Sequence, residues 1–297
     1  MRFNPQETTG SRVRLRYRVA LAYELAGPAE FLLNIHAART SSQTVSAEHF
    51  DVSPAVGVTI ADDPLTHTRV AAFGATATHV TVNYAAVVDL AHRIVDPADV
   101  VAESPAALPI ETLRFLYPSR YCQADLVQQD AWARFGAQPR GYAQVLAVRD
   151  WVRGQIAFRI GVSSSTTTAV DTLQAGAGVC RDFAHTMIAY CRALNYPARF
   201  VTGVDYGADP ALGPPDFHAY VEVFLGGAWY LFDPTGISPV TGLIRIGTGR
   251  DAADVSFATI FGPVRTGMPV VAFSAVEDPA EGFLVPVRTE LAVSTAF

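Results

Sequence analysis

A cysteine set just behind two glycines, at the head of a helical pattern, constrains this chain more than any other feature. The stretch runs Gly176-Ala177-Gly178-Val179-Cys180-Arg181-Asp182-Phe183-Ala184-His185. Phe183, Met187, Cys191 and Leu194 recur at helical spacing, while Arg192 and Asn195 fall off that stripe. The spacing predicts a helix whose first turn carries Cys180. A helix N-terminus presents unpaired N–H groups and the positive end of its dipole. A thiol there ionises more readily, with pKa values of ~3.5 to ~7.5 in such settings. Gly176 and Gly178 would let a bound carbonyl approach the backbone. These are the requirements of a nucleophile, and a nucleophile needs a base.

Strand geometry supplies one. Asp216-Phe217-His218-Ala219-Tyr220-Val221-Glu222-Val223-Phe224-Leu225 leads into Gly226-Gly227 and then Ala228-Trp229-Tyr230-Leu231-Phe232-Asp233-Pro234. Two β-rich runs around Gly-Gly predict a hairpin with a two-residue turn. With Leu225 facing Ala228, Tyr220 falls opposite Asp233, and His218 shares that face because strands alternate with period two. His218 and Asp233 are then diagonal neighbours, roughly 7–8 Å apart at the backbone and within side-chain reach. A helix-borne Cys180 met by a His218–Asp233 pair is the arrangement of a catalytic triad.

These blocks resemble the transglutaminase-like superfamily, and more narrowly the bacterial transglutaminase-like cysteine proteases. The resemblance rests on Gly178-Val179-Cys180-Arg181-Asp182-Phe183-Ala184-His185, Tyr196-Pro197-Ala198-Arg199-Phe200-Val201-Thr202-Gly203, the His218–Val223 strand, and Trp229-Tyr230-Leu231-Phe232-Asp233-Pro234-Thr235. It covers about residues 145–250, and several spaced blocks in order are far more specific than one short pattern. It implies Cys180 as nucleophile, His218 as base and Asp233 as orienting carboxylate. It also implies an α+β fold: a papain/transglutaminase-like core of helices packed on an antiparallel sheet, behind an N-terminal β-sandwich. The expected division is residues 1–104 for the sandwich and 105–297 for the catalytic domain.

The chain itself supports that division. Arg12 to Tyr23 alternates, with Val13, Leu15, Tyr17, Val19 and Leu21 on one face and Arg12, Arg14, Arg16 and Arg18 on the other, read as a solvated row. Further β-like runs are Phe31–His36, Val56–Ile60, Thr66–Phe73 and Val80–Val88, a spacing that suggests a sandwich. His36, His49, His67, His79 and His92 lack paired spacing and read as structural rather than metal-binding. Pro97, Pro105 and Pro109 mark a connection. Leu243–Ile246, Val255–Ile260 and Val270–Ala275 read as strands completing the catalytic sheet, and the last twenty residues as a surface tail with one β-like stretch.

Composition narrows the partners. The 297 residues are 50% hydrophobic and 17% charged, enough for a sizeable core, and the formal net charge of −6 disfavours nucleic acid or anionic membrane. Arg2, Arg12, Arg14, Arg16 and Arg18 interrupt the first stretch, and no apolar run reaches the ~18–20 residues of a membrane span. Cys122, Cys180 and Cys191 are too few for a disulfide scaffold and show no CxxC spacing. No calcium loop of the DxDxDG type occurs. The expectation is a soluble cytoplasmic protein with no cofactor or metal and a peptide or protein substrate.

Other candidates are weighed against plainer roles. Gln174, six residues before Cys180, is a candidate oxyanion donor, as a glutamine at this spacing is in some papain-type enzymes; the Cys180 backbone N–H is a sounder one. Eukaryotic transglutaminases place a tryptophan upstream for this task, and none lies between Trp151 and Cys180. Cys122, in Leu116–Gln123, is the rival nucleophile, without a base or a glycine-led helix start nearby. Ser163–Thr168 reads as a loop and helix cap that could line the cleft, with Thr167 or Thr168 capping Ala169–Ala175. His185 lies about 140° around the helix from Cys180 and reads as structural. Asp182 favours the dipole, Cys191 is buried, Arg199 is structural, and Glu222 is either a cross-strand partner or a cleft-edge group. The expected chemistry is acyl transfer through a thioester, hydrolysing peptide or side-chain amide bonds. Transamidation, deamidation of glutamine, or a non-catalytic binding module are the alternatives.

Overall fold

Hydrophobic alternation organises the first hundred residues of the computed structural model, which describes residues 12–209 and 214–296. Arg2, one of the arginines weighed above, lies outside them. The order is β1 (Arg12–Leu25), β2 (Ala29–Leu33), β3 (Gln43–Ser53), β4 (Thr59–Asp62), β5 (Arg69–Ala75), β6 (His79–Ala91) and the short β7 (Arg93–Val95). Along β1 every second side chain from Val13 to Leu25 is buried. The arginines between them face outward, where Arg14 pairs with Asp89 at 2.6 Å. β3 was not expected from sequence. It is an edge strand, exposed along most of its length, so no apolar face marks it.

The helices α1 (Gln128–Phe135), α2 (Tyr142–Gln155), α3 (Ala169–Ala175) and α4 (Cys180–Ala193) follow, with two-residue strands β8 (Ala157–Phe158) and β9 (Ala177–Gly178) flanking α3. The remaining strands are β10 (Ala198–Asp205), β11 (Phe217–Leu225), β12 (Ala228–Phe232), β13 (Leu243–Gly249), β14 (Ala258–Phe261), β15 (Val264–Thr266), β16 (Val270–Val276) and β17 (Ala292–Ala296). The fold is α+β. β13-β10-β11-β12-β17-β7 forms a six-stranded antiparallel sheet, and α4 packs on β10 and β11 with α1, α2 and α3 around it. From Asp182 to Ala193 every residue of α4 is buried, which makes it the central helix of the core. Arg192, expected off the buried stripe, is buried too. Its guanidinium donates to the carbonyls of Ala198, Tyr117 and Arg250, so one cation ties the start of β10 to two loops.

Two expectations about the C-terminal part are corrected. Of the strands expected at Val255–Ile260 and Val270–Ala275, the second forms in full and the first only from Ala258, and neither extends the six-stranded sheet. β14 pairs with β2, and β15 and β16 sit end to end along β1, completing the two sheets of the sandwich. The last segment is no surface tail: β17 lies between β12 and β7, with Ala292 and Val293 fully buried. Both errors share a cause. An antiparallel strand carries its period in its own sequence, but not the identity of the neighbour that completes its hydrogen bonds. Among the described residues no helix is long and apolar enough to cross a membrane.

Candidate active site

The local backbone fixes Cys180 at the first position of α4. Gly176 ends α3 in the left-handed region, at φ +61°, and β9 then pairs in parallel with β8. A Cβ on Gly178 would lie 2.7 Å from that of Asp182, so only glycine lets Asp182 fold back there. The Asp182 carboxylate accepts from the Val179 N–H at 2.9 Å and closes the helix start. Both glycines therefore serve the turn into the helix. The amides of Cys180 and Arg181 precede the first intrahelical bonds, at the positive end of the dipole.

The hairpin has the expected register, from Leu225 opposite Ala228 to Val221 opposite Phe232, and both turn glycines have positive φ. It brings His218 Nε2 to 3.4 Å from Asp233 Oδ1, with both side chains almost fully buried. Cys180 lies near the same imidazole, lining one cleft with it and adding to the upward shift of its pKa, so the ring has the thiol as well as the carboxylate for a neighbour. Asp233 is held by Thr235, whose N–H and hydroxyl donate to Oδ1 at 2.9 and 2.6 Å. Burial alone would pull the imidazole pKa down. The negative charges of Asp233 and Asp205 outweigh it and push His218 well above its ordinary value. Burial raises Asp233, but the facing imidazole and Thr235 outweigh that and hold it below its ordinary value.

Asp205 is a residue that sequence reasoning missed. It ends β10, where Gly203 pairs with His218, so Asp205 lies two residues on and on the same face. It is buried and accepts a hydrogen bond from Ser238. His218 thus has a carboxylate on each flank, Asp233 from the β12 side and Asp205 from β10.

Cys180 and His218 line a cleft of about 310 Å³, together with Tyr121, Ser165, Arg181, Phe200, Thr202, Phe217, Ala252 and the segment Val255–Ala258. Asp233 stays behind His218, outside the cleft lining. A larger cavity of about 490 Å³, lined by Asp63, Arg114 and Asp254 among others, contains none of the three. The Ser163–Thr168 loop reaches the cleft through Ser165, and Thr168 caps α3 by accepting from Asp171 N–H. Gln174 is exposed on α3 and does not line the cleft. Cys122 is fully buried, its thiol pushed up to about 12 by burial, and burial raises Cys191 as well. Cys180, only partly buried, is the cysteine that a reagent can reach.

His185 is buried beneath the cleft, stacked on Tyr121 at 4.9 Å, and its Nε2 accepts from Ala252 N–H. Burial holds it well below its ordinary value, as a neutral acceptor requires. Glu222 is fully buried between Arg199, at 2.5 Å, and Arg245. It is a cross-strand ion pair with Arg199, directly opposite in the register, and not a cleft-edge group.

Residues 131–234, which contain all three triad candidates, match the Transglutaminase-like superfamily, and residues 13–108 match the bacterial transglutaminase N-terminal domain. The crystal structure of a "putative cysteine protease" from Cytophaga hutchinsonii superposes with a TM-score of 0.88 at 34% identity, covering 95% of this chain and 97% of that one. An uncharacterized protein of Mycobacterium leprae is 32% identical over 117 residues, 38% of this chain and 42% of that protein. One from Mycobacterium tuberculosis is 34% identical over 109 residues, 33% of this chain and 35% of that protein. The match thus spans less than half the length of these two relatives. Sequence blocks, fold and overall superposition agree: the chain belongs to the transglutaminase-like superfamily, with the bacterial N-terminal domain before the core.

Proposed function

We propose that the protein is a cysteine hydrolase of peptide or amide bonds, acting through Cys180, His218 and Asp233. The observation that carries this reading is one buried imidazole with the only accessible cysteine among the described residues on one side and a carboxylate on the other. In the reaction His218 takes the Cys180 proton, and the thiolate adds to the amide carbonyl carbon. The oxyanion so formed lies toward the amides that begin α4. As the C–N bond breaks, His218 returns the proton to the departing amine and leaves a thioester on Cys180. Water then loses a proton to His218 and attacks the thioester carbonyl. Collapse expels the thiolate, which is reprotonated, and releases a carboxylic acid. Asp233 fixes the imidazole and favours its charged form throughout.

The test is reaction with iodoacetamide under limiting reagent, mapped by mass spectrometry, and amide hydrolysis with hydroxylamine present to trap the acyl group. The expected result is labelling of Cys180 far ahead of Cys122 and Cys191, and a hydroxamate product lost in Cys180→Ala. Equal labelling of the three cysteines, or hydrolysis undiminished in Cys180→Ala, overturns the proposal.

A further inference from the structure

One part of the cleft wall, Val255–Ala258, is not built by the six-stranded sheet. After β13 the chain turns back through Val255–Phe257 into β14, which belongs to the sandwich. Asn34, just past the end of β2, holds that turn twice. Its side-chain amide donates to the Ser256 carbonyl at 2.7 Å, and its backbone N–H donates to the Phe257 carbonyl at 2.9 Å. Phe257 in turn stacks on Phe217 with ring centroids 4.6 Å apart and planes 15° from parallel. Phe217 immediately precedes His218, so an aromatic shelf starts beside the proposed base and is clamped from the sandwich side.

Four polar side chains of the cleft, Thr202, Tyr121, Ser256 and Arg181, already hold partners within the protein. The Thr202 hydroxyl donates to the Val255 carbonyl at 2.7 Å, that of Tyr121 to Ser165 at 2.7 Å, and that of Ser256 to Ala252 at 2.9 Å. The Arg181 guanidinium donates to the Ser164 carbonyl at 2.6 Å and to Asp182. A polar substrate side chain entering here gives up water for few free partners, whereas an apolar one gains from leaving water. A cleft of about 310 Å³ is at the small end for ligand pockets and suits one large side chain with its adjoining carbonyl.

We infer that this cleft takes acyl groups bearing a large apolar side chain next to the attacked carbonyl, and that the sandwich sets the preference by holding Phe257 through Asn34. The inference rests on Cys180 being the acyl acceptor. It gives the N-terminal domain a direct part in substrate choice.

The experiment uses the full chain and a set of peptidyl acyloxymethyl ketones that differ only in the residue bearing the ketone: Phe, Leu, Ser, Asp or Lys. Second-order rates of Cys180 labelling are each divided by the iodoacetamide rate of the same variant. The Phe and Leu probes are expected to exceed the Ser and Asp probes by about tenfold or more. Phe257→Ala and Asn34→Ala shrink that ratio several-fold, while Phe257→Leu keeps most of it; a thermal melt of each variant shows whether it is folded. Equal rates for all probes, preference for a charged residue, or an undiminished ratio in folded Phe257→Ala overturns the inference. So does labelling of Cys180 by iodoacetamide with no peptidyl probe reacting, which leaves the nucleophile standing. If iodoacetamide itself does not select Cys180, the hydrolase reading falls first and the inference with it.

Discussion

At the scale of single residues, His218 is governed by the competition between burial and two flanking carboxylates. The sign of the pH dependence follows. Because its folded value is raised above the ordinary 6.5, the stability it contributes is fully present below 6.5 and is lost as the pH rises through the raised value. Asp233 works in the opposite sense: its contribution is present above its ordinary 3.8 and is lost as the pH falls through its depressed value. Denaturant unfolding across pH should therefore show the pair's contribution at full size between these limits, with the difference from His218→Gln shrinking at both ends. Asp205→Asn, read by NMR titration of labelled histidine, should lower the His218 value while Ser238→Ala leaves it high. An unshifted histidine in Asp205→Asn would show that Asp205 does not act through its charge. Cys180, His218 and Asp233 were legible because each sits in a short-range pattern, a helix start or a two-residue turn that fixes register. Asp205 was not, since the long connection from β10 to β11 leaves their register unspecified in sequence.

The elements that hold the site are α4 and the strands beneath it. A methyl group at position 178 would collide with Asp182, so Gly178→Ala should cost ~1–3 kcal/mol in denaturant unfolding and slow the labelling of Cys180. Across β10, β11 and β13, Glu222 is enclosed by Arg199 and Arg245 with no exposure to water. Glu222→Gln leaves two buried cations facing a neutral group, and a loss of ~3–5 kcal/mol is expected by the same measurement. A loss below ~1 kcal/mol would mean that the arginines reach water when their partner is removed. α4 was readable from apolar spacing behind two glycines and α3 from its threonine cap, down to its bounds, whereas the bounds of α1 were not legible in the sequence. The burial of Arg192 was not, because the carbonyls that accept from it come from loops distant in sequence.

For the molecule as a whole, the chain crosses between its two halves more than once. β7 leaves the sandwich to join the edge of the catalytic sheet, and β14, β15 and β16 return from the far side of that sheet to finish the sandwich. Residues 1–104 lack β14, β15 and β16, which cover one edge each of β2 and β1, so this fragment alone should show no cooperative thermal transition by circular dichroism. The sandwich nature of the first hundred residues was visible in their alternation; the returning strands were not, because their partners lie more than two hundred residues upstream. A single cut in the exposed connection at Pro105–Ala107 would accordingly not set the halves free, since the later piece keeps three strands threaded into the earlier one. The two pieces should copurify, and when made separately they should regain the cleft around Cys180 only by reassembling, a split protein with its clasp already installed.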